Sequence, residues 1–156
     1  RQTLGGIVAH RSWAYHAVGR ACLLLGRLDE ARRLGNHAVE ASRRQPGFAA
    51  HALHLLGDIA THPDQFDAAT SLGQYREALA LAQAHGMRSL VAHSHLGLSK
   101  LYRRIGQPEH ARENLSKAMT MYRAMDMGFW VKQAEADMMS SGDVGPRARP
   151  AAEIRP

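Results

Sequence analysis

Apolar residues recur three and four positions apart along almost the whole chain, β-branched runs are absent, and single glycines or prolines interrupt the pattern. That period buries one stripe of a helix, whereas strands need alternation, so the pattern predicts seven helices and no strand. The expected spans are 6–25, 28–44, 48–61, 66–85, 88–104, 108–125 and 129–139. Gly26, Gly47, Gly86, Gly106 and Gly128 fall where helices should stop, because glycine enters left-handed backbone geometry cheaply. Pro108 suits the first turn of the sixth helix, where a missing N–H costs nothing. The stretch 61–67, with His62-Pro63-Asp64, predicts the longest loop. From Ser140 onward, Gly142, Gly145, Pro146, Pro150 and Pro156 with three arginines offer no apolar face, which predicts a disordered tail over 140–156.

The same pattern returns at a fixed interval. Stretches 38–47, 78–87 and 118–127 lie 40 residues apart: Ala38, Ala78 and Ala118 are identical, and Val39, Leu79 and Met119 are followed two positions on by Ala41, Leu81 and Met121. They break at Pro46-Gly47, His85-Gly86 and Asp126-Met127-Gly128. The preceding helices repeat too, 50–57 matching 92–99 at 42 residues and 15–19 preceding at 38, so the two offsets sum to two periods. An insertion at the predicted loop of the middle hairpin explains the unequal halves. Helices too apolar to stand alone bury their stripes against neighbouring copies. The expected fold is therefore all-α: a right-handed array of three helical hairpins and a C-terminal capping helix, filling residues 1–139.

Composition narrows the function classes. With 156 residues, 45% hydrophobic and 22% charged, the chain is one domain with a continuous core. No run approaches the roughly 18 apolar residues that span a bilayer, and no basic-then-apolar export pattern opens the chain, so a soluble, cytoplasmic protein without a membrane partner is expected. Cys22 stands alone in an apolar run, which predicts a buried structural thiol in a reducing compartment. The chain starts at Arg1 without a methionine, and the expectation is a piece of something larger. A net charge of +6 favours an acidic partner. The basic residues are spread singly or in pairs and only nine aromatics are present, which argues against nucleic acid.

Val18-Gly19, Cys22, Gly26, Ala31 and Ala38 have the spacing of the tetratricopeptide repeat, and Leu98-Ser99, Tyr102, Gly106, Ala111 and Ala118 repeat it. Leu56-Gly57, Ala60, Tyr75 and Ala78 form a degenerate middle copy. The departures are Ser99 where glycine is usual, Ser71 where alanine is, and Tyr15, Leu53 or His95 for the early tryptophan. The 40-residue period also exceeds the family's about 34. Stretches 90–98, 101–106 and 129–135 further resemble tetratricopeptide segments near the C-terminus of large bacterial proteins that join a class III nucleotide cyclase or a transcription regulator to a predicted ATPase. That resemblance implies a regulatory, signalling role. Neither a Gly-rich loop ending in Gly-Lys-Ser/Thr nor a paired-aspartate site is present in this sequence.

In the proteins this chain resembles, the inner groove is lined by the first helix of each hairpin. The corresponding positions select Trp13, His16, Arg20, His51, His54, Asp58, His93, Lys100 and Arg103, with Leu23, Thr61 and Leu96 beside them. These are mostly polar and basic, as suits a wet binding face rather than a core. Arg20, Lys100 and Arg103 are the expected charge donors to an acidic peptide and Trp13 its apolar anchor. His51, His54, Asp58 and His93 have zinc- or nickel-compatible chemistry, yet two helical histidines and a carboxylate are too weak a pattern, and neither a metal nor another cofactor is expected. Met119, Met121, Met125, Met127, Met138 and Met139 read as filler between helices. Phe129, Trp130 and Met138 on the last helix form the candidate self-association surface. Ser12, Ser42 and Ser94 stand isolated on helices and suggest no nucleophile. The expected function is a non-catalytic scaffold or interaction module that binds a protein or acidic peptide. The open alternatives are homo-oligomerisation through the last helix and small-ligand sensing.

Overall fold

A computed structural model describes residues 4–141, with side chains from 10 to 140. Seven α-helices and no strand occur among the described residues: α1 (Leu4–Leu24), α2 (Leu28–Ala41), α3 (Pro46–Ala60), α4 (Ala68–Ala84), α5 (Arg88–Arg104), α6 (Pro108–Ala124) and α7 (Gly128–Ser141). They pair as the hairpins α1–α2, α3–α4 and α5–α6, with α7 packed against α6 and α5. This is the all-α hairpin array that the repeat predicts. The longest described link, between α3 and α4, holds one 3-10 turn over Pro63–Gln65. Except for Ser140 and Ser141, which extend α7, the tail predicted over 140–156 lies outside the described residues.

The helix ends show which breaks are local. Gly26, Gly86 and Gly106 take φ of 73°, 64° and 78°. Each lets the next N–H turn back on the helix, Arg27 to the Cys22 carbonyl, Met87 to Ala82 and Gln107 to Tyr102, all at 2.9 Å. The expectation fails at two glycines. Gly47 lies inside α3, because Pro46 presets helical φ and starts the helix one residue before it. Gly128 opens α7, and Asp126 instead takes the left-handed turn at φ 55°. Asp67 starts α4, its carboxylate accepting from the Thr70 N–H at 3.0 Å.

Apolar stripes meet between neighbouring hairpins. Cys22, Ala31, Leu34, Leu55, Leu56 and Ile59 join α1, α2 and α3. Tyr75, Leu98, Leu101, Tyr102 and Ala111 join α4, α5 and α6. Tyr122 and Met119 centre the last cluster with Ala134 of α7, and Met121, Met125 and Met127 pack around it, whereas Met138 and Met139 are exposed. Close approach depends on small residues: a Cβ at Gly35 would sit 2.6 Å from Leu56, and one at Gly57 or Gly97 would sit 2.8 or 2.7 Å from the Tyr75 ring. Two serines expected to be isolated prove to be paired. Ser12 and Ser42 bond to each other across the buried α1–α2 seam, and Ser12 also donates to the Ala38 carbonyl at 3.2 Å.

Candidate functional site

Because α1, α3 and α5 stack in parallel register, equivalent positions fall into rows along one face. Trp13, His51 and His93 form the first row; His16, His54 and Leu96 the second; Arg20, Asp58 and Lys100 the third; Leu23, Thr61 and Arg103 the fourth. All of these except Trp13 line a single cavity of about 760 Å3, together with Tyr75, Arg104 and Trp130. Trp13 stands at its α1 end, half exposed, stacked on His16 at 5.3 Å and edge-on to His51 at 5.5 Å.

An ion-pair network closes the centre. Arg20 donates to Asp58 at 2.5 Å, the Tyr75 hydroxyl donates to the other Asp58 oxygen at 2.5 Å, and His54 lies 3.6 Å from the same carboxylate. Burial alone would raise the Asp58 pKa, but His54, Arg20 and the Tyr75 hydrogen bond hold it below the ordinary carboxylate range. The same burial, with Asp58 beside it, drives the Tyr75 phenol well above its usual value. His54 is buried, only 9% exposed, and is better described as a wall of the groove than as a reaching ligand.

His16, His51 and His93, the other groove histidines, are held toward the neutral form. Burial lowers His16 from 6.5 to about 4, aided by Arg20, His51 and His54. Burial likewise takes His93 to about 4, aided by His54. His51 is lowered by burial, His54 and Arg20. His93 hydrogen-bonds the Tyr122 hydroxyl at 2.7 Å and packs edge-on to Trp130 with ring centroids 4.4 Å apart. Trp130 is thus partly built into the wall, whereas Phe129 and Met138, named with it for self-association, are 66% and 48% exposed.

The positive charge lies at the α5 end. Lys100 faces the Asp137 carboxylate of α7 at 3.6 Å, and Arg103 donates to the Asp137 carbonyl at 3.0 Å and to Ser140 Oγ at 3.4 Å. Arg20, Lys100 and Arg103, the three expected charge donors, therefore all have partners within the chain. Arg104 adds a fourth cation, lying over the Phe66 ring at 3.8 Å and donating to the Thr61 carbonyl. Tyr75, Arg104 and Trp130 also line the cavity but fall outside the four rows. Tyr75 comes from a second helix, Arg104 from one position beyond the fourth row, and Trp130 from α7. Among the described residues, no three His, Cys, Asp or Glu side chains converge as a metal-ligand set, and no helix is long and apolar enough to cross a membrane.

Residues 92–125 match the tetratricopeptide repeat family, covering most of α5, all of α6 and the turn between them. That match supports a tetratricopeptide segment and, in general terms, a protein–protein interaction module. No curated protein matches the chain.

Proposed function

We propose that this chain is a non-catalytic interaction module that holds a segment of a partner protein in the groove along α1, α3 and α5. One observation carries the reading: a single cavity of about 760 Å3 collects polar and aromatic side chains from all three first helices. Neutral His16, His51 and His93 supply donors and acceptors without a desolvated charge, and Trp13 with Phe48 offers an apolar end. Lys100, Arg103 and Arg104 bias the other end toward a carboxylate. The preferred ligand is an acidic peptide with one bulky apolar residue, not nucleic acid. The resemblance of 90–98, 101–106 and 129–135 to regulatory multidomain proteins supports a signalling setting inside the cell.

The test is fluorescence anisotropy with a labelled dodecapeptide of glutamates and one central phenylalanine, against the same peptide with lysines. The glutamate peptide should bind, and Lys100→Glu with Arg103→Glu should weaken it about tenfold or more, the loss of one or two charge-assisted contacts. Equal binding of the lysine peptide, or no effect of the double change, rejects the groove. A second reading, self-association through α7, rests on Phe129 and Met138 and on Met139 at 80% exposed. Under it, sedimentation should show a dimer that Phe129→Ser with Met138→Ser dissociates.

A further inference from the structure

A second cavity, of about 460 Å3, lies between α2, α3 and α4 and shares no lining residue with the groove. The extra length of the middle hairpin builds part of its wall. The α3–α4 link runs over 61–67, against 25–27 and 105–107 in the other hairpins, and it supplies Gln65 and Asp67. Gln65 is anchored from α2, accepting from Arg32 and donating to Asp29 at 3.1 Å. Gln74 of α4 lines the same cavity, and its buried Oε1 has no hydrogen-bond partner.

The array holds the same place a second time, one hairpin on, and shows how it closes there. At the 42-residue offset of the first helices, Ala60 corresponds to Tyr102 and Leu53 to His95. At the 40-residue offset of the second helices, Asn36 corresponds to Arg76 and Gln74 to Asn114. Between α4, α5 and α6, Tyr102 packs with Leu98, its ring 5.2 Å from that of His110 and its hydroxyl accepting from Arg76 at 2.9 Å. Asn114 Oδ1 accepts from His95 Nδ1 at 2.8 Å. In the cavity, Ala60 offers only a methyl group where that ring lies, and Leu53 offers Gln74 no donor. A buried acceptor without a donor is costly, and a ligand that brings both the ring and the donor removes that cost.

We propose that this cavity binds a small neutral molecule that joins a hydroxylated aromatic ring to an N–H donor. The ring lies over Ala60 and Leu56, as Tyr102 lies with Leu98 in the next junction. Its hydroxyl meets Asn36, the counterpart of Arg76, and its N–H meets Gln74 Oε1, as His95 meets Asn114. Charge favours a neutral occupant: Asn36 replaces a fixed cation, and the exposed Arg32 and Asp67 in the wall offset each other. The volume is within the range of small-molecule sites, where apolar contact supplies affinity and a few polar groups fix orientation.

The test is calorimetric titration of the intact chain with 4-hydroxyphenylacetamide, which has the ring, the hydroxyl and the amide N–H. Saturable binding with a Kd of about 0.1–1 mM is expected for so small a molecule. Methyl 4-hydroxyphenylacetate, which has no N–H, should bind about tenfold or more weakly, and phenylacetamide, without the hydroxyl, several-fold more weakly. Ala60→Tyr supplies the ring from the chain itself and should abolish binding while the chain still melts cooperatively. Gln74→Leu, of similar size, is the independent variant and should weaken the amide to the level of the ester. No saturable binding up to about 10 mM overturns the proposal, as does an ester that binds as well as the amide. Undiminished binding to either variant also overturns it, by placing the molecule elsewhere.

Discussion

The Tyr75 hydroxyl reaches Asp58 at 2.5 Å while its ring fills the space between Gly57 and Gly97, so one side chain both packs two hairpins and completes the charge network under the groove. Tyr75→Phe should keep the packing and lose the hydrogen bond to a charged acceptor, lowering stability by roughly 1.5–3 kcal/mol in urea titrations. Wild-type stability would show the bond to be dispensable. Two half-buried histidines, His16 and His93, set a pH dependence. Unfolded, His16 and His93 would protonate near 6.5; folded, they resist to about 4. Between those values the unfolded chain binds more protons, so this stability is complete above about pH 6.5 and declines as pH falls toward about 4. Asp58, whose pKa is also lowered by folding, acts in the same direction at the acid end. Thermal melts at about pH 7 and about pH 5 should differ, the acid one lower, and His93→Gln should narrow the gap.

At the scale of elements, the helix ends and crossings are the sensitive points. Asp126 occupies a left-handed conformation that glycine fills elsewhere in the array. Asp126→Gly should therefore leave stability unchanged or raise it by up to about 1 kcal/mol, since relief of strain opposes the added freedom of the unfolded chain. A clear loss would mean the carboxylate has a structural role. At the α4–α5 crossing, Gly97→Ala places a methyl 2.7 Å from a ring anchored by its hydroxyl. Overpacking of that kind costs roughly 1–3 kcal/mol, readable as a lower denaturation midpoint. An unshifted midpoint would show that the α4–α5 crossing relaxes freely.

Across the whole molecule, burial is uneven. Helices α3 and α5 are covered on both sides, with Ala50, Ala52, Leu55, Ile59, Ala92 and Leu101 at 0 or 1% exposed, whereas Ala134 is the one buried residue among the described side chains of α7. A stacked array opens from its ends, so amide exchange should be slowest in α3 and α5 and fastest in α7. Uniform protection would contradict this.

Local chemistry along the chain settles a good deal before any tertiary contact forms. Helical periodicity, the 40-residue recurrence and the glycines at 26, 86 and 106 are written over a few neighbouring residues, and so the seven helices and their pairing were legible. The groove offsets come from the resemblance to the tetratricopeptide repeat, and because stacked copies place equal offsets side by side, eight of the nine residues they select line one cavity. Tertiary structure alone decided the state of those residues. That Arg20 meets Asp58, that Lys100 and Arg103 meet α7, and that burial holds His16 and His93 neutral all depend on side chains distant in sequence converging in space. Likewise, Val18 and Leu56 hold equivalent places in the repeat, and among the described residues only Leu56 has the second helix of a preceding hairpin packed against it. Periodicity fixes which face of a helix is apolar, but burial depends on what lies opposite, and that is a property of the assembled array.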